Sequence, residues 1–181
     1  MQRIDTELEG PVFLEATLHG DSRGFFSETY RESALAELGV ADRFVQDNQS
    51  RSSLGVLRGM HYQVGQAKLV RCAGGSIVDV VVDIRRGSPT FGRWEAFELS
   101  AENARQVYVP VGFGHGFCVT SEVADVVYKV SAYYDPSAEA GFAYNDPDVG
   151  IEWPDLELKV SERDAAAPRL AEVADSLPFD Y

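Results

Sequence analysis

Cysteine and histidine are both scarce in this chain, which has two and three of them among its 181 residues. Cys72 and Cys118 lie inside apolar stretches, so we expect buried free thiols rather than a disulfide, and two cysteines are too few for a zinc site. Since His19, His61 and His115 are the whole histidine complement, a stable metal site built from several histidines is not expected. The low cysteine content is typical of a protein of the reducing cytoplasm.

The chain also lacks an excess of positive charge. Its 16 Lys and Arg against 29 Asp and Glu give a formal net charge of −13. Binding to nucleic acid and attachment to anionic membranes both depend on a basic surface, so neither is expected. No apolar run approaches the ~20 residues that span a membrane, and we expect no signal peptide because no basic segment is followed by an apolar one. Any phosphate that this protein binds must therefore be held by a local group of Arg and Lys.

Many short strand-like segments are present, separated by turn residues at fairly regular intervals. With 45% hydrophobic residues, no internal repeat and no linker, the chain is expected to form a single domain over residues 1–181. Helices are predicted only at 31–38 and 161–173. This pattern predicts an all-β antiparallel sandwich or jelly roll. The predicted strands cover residues 11–18, 44–50, 55–63, 68–72, 76–84, 94–100, 106–109, 114–120 and 123–134.

The stretch Arg58-Gly59-Met60-His61-Tyr62-Gln63, with Lys68 shortly after it, is the strongest candidate for chemistry. Successive strand residues alternate between faces, so Met60 and Tyr62 are predicted on one face and His61 and Gln63 on the other. Arg58 shares the face of Met60 unless a bulge intervenes. Histidine can take and return a proton near neutral pH, and Arg and Lys beside it would suit an anionic ligand and an acidic C–H. The alternative is an ordinary strand histidine that is hydrogen-bonded to its neighbours.

The strand predicted at 76–84 carries carboxylates on one face. Its apolar residues at 78, 80, 82 and 84 alternate with Asp79, Val81 and Asp83. We expect Asp83 to lie on a solvated outer face. For Asp79, solvent and the interior of a barrel remain equally open.

Several motifs of this sequence occur in the same order in one known family. They extend from about residue 3 to about residue 168, and motifs in register are far more specific than a single short one. The chain thereby resembles the dTDP-4-dehydrorhamnose 3,5-epimerase family, whose members are metal-independent enzymes of the cupin superfamily. The motifs are Asp21-Ser22-Arg23-Gly24-Phe25-Phe26, Phe44-Val45-Gln46-Asp47-Asn48, Arg58-Gly59-Met60-His61-Tyr62-Gln63, Lys68-Leu69-Val70-Arg71-Cys72, Ser88-Pro89-Thr90-Phe91-Gly92 and Gly112-Phe113-Gly114-His115-Gly116-Phe117.

The resemblance implies a cupin-type antiparallel jelly-roll barrel with a few short peripheral helices. It also implies conversion of dTDP-4-dehydro-6-deoxy-D-glucose to dTDP-4-dehydro-L-rhamnose by inversion at C3 and C5, with no cofactor, no metal and a homodimeric assembly. Three alternatives stay open: a relative that inverts C3 alone, a 3,4-ketoisomerase of similar fold, and a non-catalytic cupin that binds nucleotide-sugars. The departures from the family pattern are a shorter turn before Lys68 and Met60 where Leu is common.

The resemblance also assigns four catalytic roles. His61 would remove a proton next to the ketone and Tyr128 would return one. Lys68 would stabilise the enolate, and Asp164 would hold the His61 ring. From the residues alone, Asp164 would cap a helix within Ser161-Glu162-Arg163-Asp164, and Tyr128 would be an ordinary core aromatic.

The remaining assignments concern the substrate. Taken singly, each residue is an ordinary surface or core residue, and the resemblance gives them a binding role together. Arginines suit the diphosphate, aromatic rings the thymine, and polar side chains the other groups of the ligand. These residues are Arg23, Arg58 and Arg163, then Phe26 and Tyr134, then Glu28, Gln46, Asn48 and Glu139, and finally His115, for which Asp79 is a possible partner.

Overall fold

Thirteen β-strands and three short α-helices make up the computed structural model, which describes residues 1–181. None of the helices is long enough and apolar enough to span a membrane. A 3₁₀ turn at Ala174–Ser176 follows the last helix. The elements are β1 (Gln2–Ile4), β2 (Val12–Glu15), β3 (His19–Asp21), β4 (Gly24–Phe26), α1 (Glu32–Glu37), β5 (Gln46–Ser53), β6 (Leu57–Gln63), β7 (Lys68–Gly74), β8 (Ser76–Asp83), β9 (Trp94–Ser100), β10 (Arg105–Val109), β11 (Phe113–Val119), β12 (Val123–Val130), β13 (Glu139–Gly141), α2 (Glu162–Ala165) and α3 (Leu170–Val173).

Two antiparallel sheets face each other. One has the strand order β1-β2-β10-β7-β12-β5 and the other β13-β6-β11-β8-β9, while β3 and β4 form a separate hairpin. Apolar side chains of both sheets fill the space between them, among them Val70 and Val126 from the first and Ile77, Val81 and Phe117 from the second. The prediction of an all-β cupin-type jelly roll with few short helices is confirmed.

Both sheets are also covered on part of their outer faces. Leu35 of α1 packs on Leu14 and Leu69 of the six-stranded sheet. The C-terminal segment packs Leu177 and Phe179 on the five-stranded sheet, against residues of β6 and β8. Strand β8 is therefore buried on both faces, which explains why its sequence is almost continuously apolar.

Several predicted elements differ from the structure at their ends. The strand predicted at 11–18 is shorter, and His19–Asp21, which lies outside every predicted strand, is strand β3 of the hairpin. The helix predicted at 161–173 is two helices, because Pro168 lies between α2 and α3. The helix predicted at 31–38 is confirmed, with Arg31 and Leu38 as its caps. Strands β1 and β13 were not predicted.

The expectation for Asp83 is wrong. Its side chain is fully buried and accepts hydrogen bonds from Arg85, Ser88 and Thr90. The strand alternates as predicted, but the face that carries the carboxylates points between the sheets rather than to solvent. Asp79, on the same face, is also fully buried, so it lies in the barrel interior.

A bulge in β6 decides where Arg58 points. His115 of β11 lies opposite His61, and Phe117 lies opposite Arg58, so β6 contains one residue more than its partner over this stretch. Gly59 occupies the bulge with φ +146°, and a Cβ there would lie 2.6 Å from the Cα of Gly116. The extra residue turns Arg58 to the side of His61 instead of that of Met60, as expected only in the presence of a bulge.

Candidate active site

One cavity of about 570 Å³ opens between the two sheets. Its volume lies within the range of ligand pockets, which is about 300–1,000 Å³. All four residues predicted to be catalytic line it, together with six of those predicted to bind substrate. These ten are His61, Lys68, Tyr128 and Asp164, and Asn48, Arg58, His115, Tyr134, Glu139 and Arg163.

His61 and Asp164 form a hydrogen-bonded pair at the cavity wall. The Nε2 atom of His61 lies 2.7 Å from Oδ1 of Asp164, and the backbone N–H of Gly59 donates to Oδ2 at 3.3 Å. The backbone N–H of Asp164 donates to Oγ of Ser161, so Ser161 caps α2. The carboxylate of Asp164 bonds to β6 instead of completing a capping box. Burial lowers the pKa of His61, and Asp164 opposes this. The imidazole is therefore mostly neutral at pH 7, as a base must be.

The chain before α2 carries Asp164 to the cavity by pairing with the start of β6. The N–H of Leu57 donates to the carbonyl of Lys159 at 3.0 Å, and the N–H of Lys159 donates to the carbonyl of Gly55 at 2.8 Å. Gly55 has φ +77°, and a Cβ there would lie 2.3 Å from the carbonyl oxygen of Glu157. Only glycine permits this close approach.

Lys68 reaches the cavity from the opposite sheet, where it begins β7. Its ammonium group makes no hydrogen bond or ion pair with the protein. Burial lowers its pKa to about 8, although Glu139 and Asp79 favour the charged form. A positive charge without a fixed partner is thus available to a ligand at neutral pH.

Tyr128 lies on the same sheet as Lys68, in the neighbouring strand β12. Burial raises the pKa of its hydroxyl, and the charge of Glu139 acts in the same direction. Arg58 and a hydrogen bond with Asn48, its neighbour across the strands, act against this shift. The phenol consequently stays protonated at neutral pH and can donate.

A second histidine–carboxylate pair lies beside the first, with its histidine at the cavity wall. Nε2 of His115 is 2.8 Å from Oδ2 of Asp79, and His115 is the direct cross-strand neighbour of His61. Two imidazoles therefore lie side by side on one face of the five-stranded sheet, each with its own carboxylate. No three His, Cys, Asp or Glu side chains lie close enough together to share a metal ion.

Positive charge predominates in the cavity although the chain as a whole is acidic. Arg58, Lys68, Lys159 and Arg163 line it, against the carboxylates of Glu139 and Asp164. The guanidinium of Arg58 donates twice to Oγ of Ser52, at 3.2 and 3.1 Å. Arg163 donates to Glu139 at 2.9 Å. This is the local cationic group that an anionic ligand requires.

Polar groups at the rim are joined in a short network. The hydroxyl of Tyr134 donates to Glu139 at 3.1 Å, and its backbone N–H donates to Gln46 at 3.2 Å. Gln46 donates in turn to Asn48 at 2.9 Å. Tyr134 as a residue is 56% exposed, so its ring is available for stacking.

Four residues predicted to bind substrate do not line the cavity of their own chain. Gln46 is one of them, but it bonds to the lining residues Asn48 and Tyr134. The other three lie apart from the cavity. Arg23 pairs with Asp21 at the turn of the β3–β4 hairpin, and Glu28 pairs with Arg31. Phe26 in the same hairpin is 71% exposed. The structure therefore separates these residues from the other predicted site residues.

Some lining residues were missed by the sequence reasoning. Ser50 could have been found, because it shares a strand face with Asn48, and its buried hydroxyl has no hydrogen-bond partner. Gln63 was placed on the face of His61 but given no role. Lys159 carried no signal of its own, since only the pairing with β6 brings it to the cavity.

Comparisons with known proteins agree with the geometry. The family model described as dTDP-4-dehydrorhamnose 3,5-epimerase matches residues 5–172. A protein of that name from Salmonella typhimurium is 51% identical over 172 residues, which cover 92% of this chain and 94% of the relative.

Solved structures agree as well. A dTDP-6-deoxy-D-glucose-3,5-epimerase from Legionella pneumophila, in complex with dTDP-4-keto-L-rhamnose, superposes with a TM-score of 0.95 at 46% identity, covering 99% of this chain and 98% of that one. A 3'-monoepimerase from Streptomyces bikiniensis, in complex with dTDP-quinovose, has a TM-score of 0.90 at 40% identity and coverages of 94% and 89%.

Proposed function

This chain belongs to the dTDP-4-dehydrorhamnose 3,5-epimerase family and is an isomerase, and on that premise we propose how it works. The substrate is dTDP-4-dehydro-6-deoxy-D-glucose, and the product after inversion at C3 and C5 is dTDP-4-dehydro-L-rhamnose. The observation that carries the proposal is the placement of His61 and Tyr128 on facing sheets across one cavity. Inversion at carbon requires removal of a proton from one side and its return from the other.

His61 is the base. Its Nε2–H donates to Asp164, which leaves the lone pair of Nδ1 to take the proton next to the C4 ketone. Once the ring is protonated, the carboxylate at 2.7 Å stabilises the imidazolium and keeps its orientation. The lowered pKa of His61 favours the neutral ring before each turnover.

Lys68 stabilises the enolate. Removal of the proton places negative charge on the ketone oxygen, and an ammonium group with no competing partner is attracted to it. With a pKa of about 8, Lys68 is mostly charged at neutral pH. Tyr128, protonated and on the same sheet as Lys68, then delivers a proton to the face opposite His61.

Arg58 and Arg163 bind the diphosphate, and Tyr134 packs on the thymine ring. Asn48, Gln46, Glu139 and His115 supply hydrogen bonds to the rest of the ligand. The predominance of cations in the cavity of an acidic protein supports this assignment, because the bound charge must be neutralised locally.

Arg23, Phe26 and Glu28 act in a homodimer, in which the hairpin of one copy completes the cavity of the other. Two exposed rings, Phe25 at 62% and Phe26 at 71%, are unusual on a small hairpin unless something covers them. Strand β5, whose residues line the cavity, also lies at a sheet edge.

Mixing two inactive variants tests the dimer. Arg23→Ala and Asp164→Ala are each expected to lose activity, and their heterodimer contains one intact site if the hairpin acts in the partner's cavity. Reassociation should restore about a quarter of the wild-type sites. No restoration, or a fully active monomer in sedimentation at micromolar concentration, would refute the arrangement.

Solvent isotope incorporation tests the reaction. In D₂O the product should carry deuterium at both C3 and C5. Deuterium at C3 alone would assign the chain to the 3-epimerases, a rival that the similarity to the Streptomyces bikiniensis enzyme keeps in view. No incorporation would leave only a nucleotide-sugar-binding protein.

A further inference from the structure

We propose that Asp79 is a positioning residue of this site: it fixes His115 from behind the cavity wall and supplies a buried negative charge near Lys68. The inference rests on the proposed function of the cavity, since it concerns the groups that surround the enolate. Nothing in the roles described above requires a carboxylate at this position.

The bonding of Asp79 is incomplete. Its side chain is 0% exposed and lies on the face of β8 that also carries the apolar core residues Ile77 and Val81. Oδ2 is bonded to His115, and Oδ1 is buried without any hydrogen-bond partner. A buried carboxylate is costly unless its oxygens are bonded or its charge is balanced. Stability of the fold therefore does not account for this residue.

His115 is fixed by that single bond. Because its Nε2 is used by Asp79 at 2.8 Å, only Nδ1 remains for a ligand. The ring is buried and lines the cavity beside His61. Asp79 thus selects which nitrogen of His115 the substrate meets, as outer partners of functional histidines generally do.

Lys68 is the second group on which Asp79 acts. It has no ion-pair partner, burial lowers its pKa, and the charges of Glu139 and Asp79 are the two that oppose this shift. In the reverse direction, Lys68 and His115 both favour the ionised form of Asp79, which burial opposes. The other charged or titratable groups that line the cavity with Lys68 are Arg58, His61 and Tyr62 of β6, His115 of β11, Tyr128 of β12, Glu139 of β13, Arg163 and Asp164 of α2, and Tyr134 and Lys159 outside these elements.

His115 on one sheet hydrogen-bonds to Asp79, and the charge of Asp79 favours the protonated form of Lys68 on the facing sheet. Asp79 keeps Lys68 charged at the pH at which the enolate forms, and it does so without blocking the ammonium group, since the pair is not in direct contact. An exposed carboxylate could not do this as well, because water would screen its charge.

Titration of Lys68 by NMR tests the inference. The chain contains only three lysines, Lys68, Lys129 and Lys159, so the labelled Lys68 signal can be assigned by one substitution. Asp79→Asn keeps the shape and an acceptor for His115 but removes the charge. Its Lys68 midpoint should fall by about one pH unit relative to wild type, the size typical of a lost neighbouring charge. The alkaline limb of kcat should move by the same amount, with KM nearly unchanged.

Asp83→Asn is the matched control, because it removes a buried carboxylate from the same strand face whose bonding partners do not line the cavity. It should leave the Lys68 midpoint where it is. An unchanged midpoint in Asp79→Asn, or an equal change in both variants, would overturn the inference.

The reverse experiment serves if Asp79→Asn does not fold. In Lys68→Met the midpoint of the Asp79 carboxyl should rise, and no rise would contradict the pairing. These titrations do not depend on turnover, so they separate a failure of this inference from a failure of the epimerase assignment, which the deuterium experiment reports.

Discussion

Strand β8 carries two buried carboxylates on one face, and their surroundings differ sharply. Asp83 accepts bonds from Arg85 Nε at 2.9 Å, Ser88 at 2.6 Å and Thr90 at 2.6 Å, so both of its oxygens are occupied. Asp79, four residues earlier, has one bond and one oxygen without a partner. One carboxylate completes a structural network, and the other holds His115, which lines the cavity.

The pKa directions follow from these surroundings. Burial tends to raise the pKa of Asp83, but the bonds from Arg85, Ser88 and Thr90 together outweigh it and hold the pKa below its ordinary value. Burial dominates at Asp79 and raises its pKa.

The cations near the two carboxylates differ in the same way. Arg85 is enclosed by Phe113 and Tyr181 at 4.6 and 4.9 Å, whereas Lys68 has no partner. Bonding that is left incomplete marks the region that does chemistry.

The largest effect is expected at the cavity, from Asp164→Asn. An asparagine at this position can no longer stabilise the His61 imidazolium and can bind the wrong tautomer, so kcat should fall by about 10³–10⁴. The thermal unfolding curve should change little, because the backbone N–H of residue 164 still bonds to Ser161. Glu162→Gln, an exposed neighbour in α2, is the control and should keep its activity. If Asp164→Asn did not fold, the proposed difference between the functional cavity and the structural network of Asp83 would be contradicted.

The opposite effect is expected at Asp83→Ala. The change leaves the charge of Arg85 half-buried and two hydroxyls unpaired, so the free energy of unfolding should fall by about 3–5 kcal/mol. The kcat of the remaining folded enzyme should not change. Because the folded-state pKa of Asp83 is depressed, its stabilising effect is full above pH ~4 and is lost below it. Denaturant unfolding of wild type and Asp83→Ala at several pH values checks this. A difference in unfolding free energy that increases in acid would disprove it.

Lys68→Met should separate function from stability. Loss of a group that stabilises the enolate should lower kcat by about 10²–10³. Stability should rise instead, by up to about 3 kcal/mol at pH 7, since burial disfavours the charged lysine and each pKa unit corresponds to about 1.4 kcal/mol. The extra stability of Lys68→Met should decrease between pH 8 and 10.5, because Lys68 of the wild type loses its proton there and no longer buries a charge. Destabilisation of Lys68→Met at pH 7 would show that the lysine supports the fold.

The smallest expected effect concerns the pH dependence of kcat/KM. The value of kcat/KM should rise as His61 loses its proton, with a midpoint below the ordinary pKa of 6.5, and fall near pH 8 as Lys68 loses its own. Lys68→Arg should move the alkaline limb upward, because arginine stays charged. An alkaline limb that is identical in wild type and Lys68→Arg would assign it to another group.

The sequence predicted most of the residues that line the cavity but not how the fold brings them together. The alternation of β8 was read correctly, yet both of its faces are buried, and no local pattern could tell that Asp83 points inward. Asp164 is 103 residues from His61, so their pairing came from the resemblance and not from any spacing. The side to which Arg58 points depends on the bulge at Gly59, and the sequence shows only that a bulge there is possible. Arg23 and Phe26 lie away from the cavity of their own chain, and a single chain offers no reason for their roles.

The central claim, that His61 and Tyr128 act from opposite walls of one cavity, is tested most directly by deuterium exchange in two variants. His61→Ala should show neither exchange nor inversion, because no enolate forms. Tyr128→Phe removes only a hydroxyl, so His61 should still remove the proton and return deuterium to the original face. The account predicts labelled, uninverted substrate from Tyr128→Phe and unlabelled substrate from His61→Ala. Exchange in His61→Ala together with none in Tyr128→Phe would contradict it and reverse the two roles.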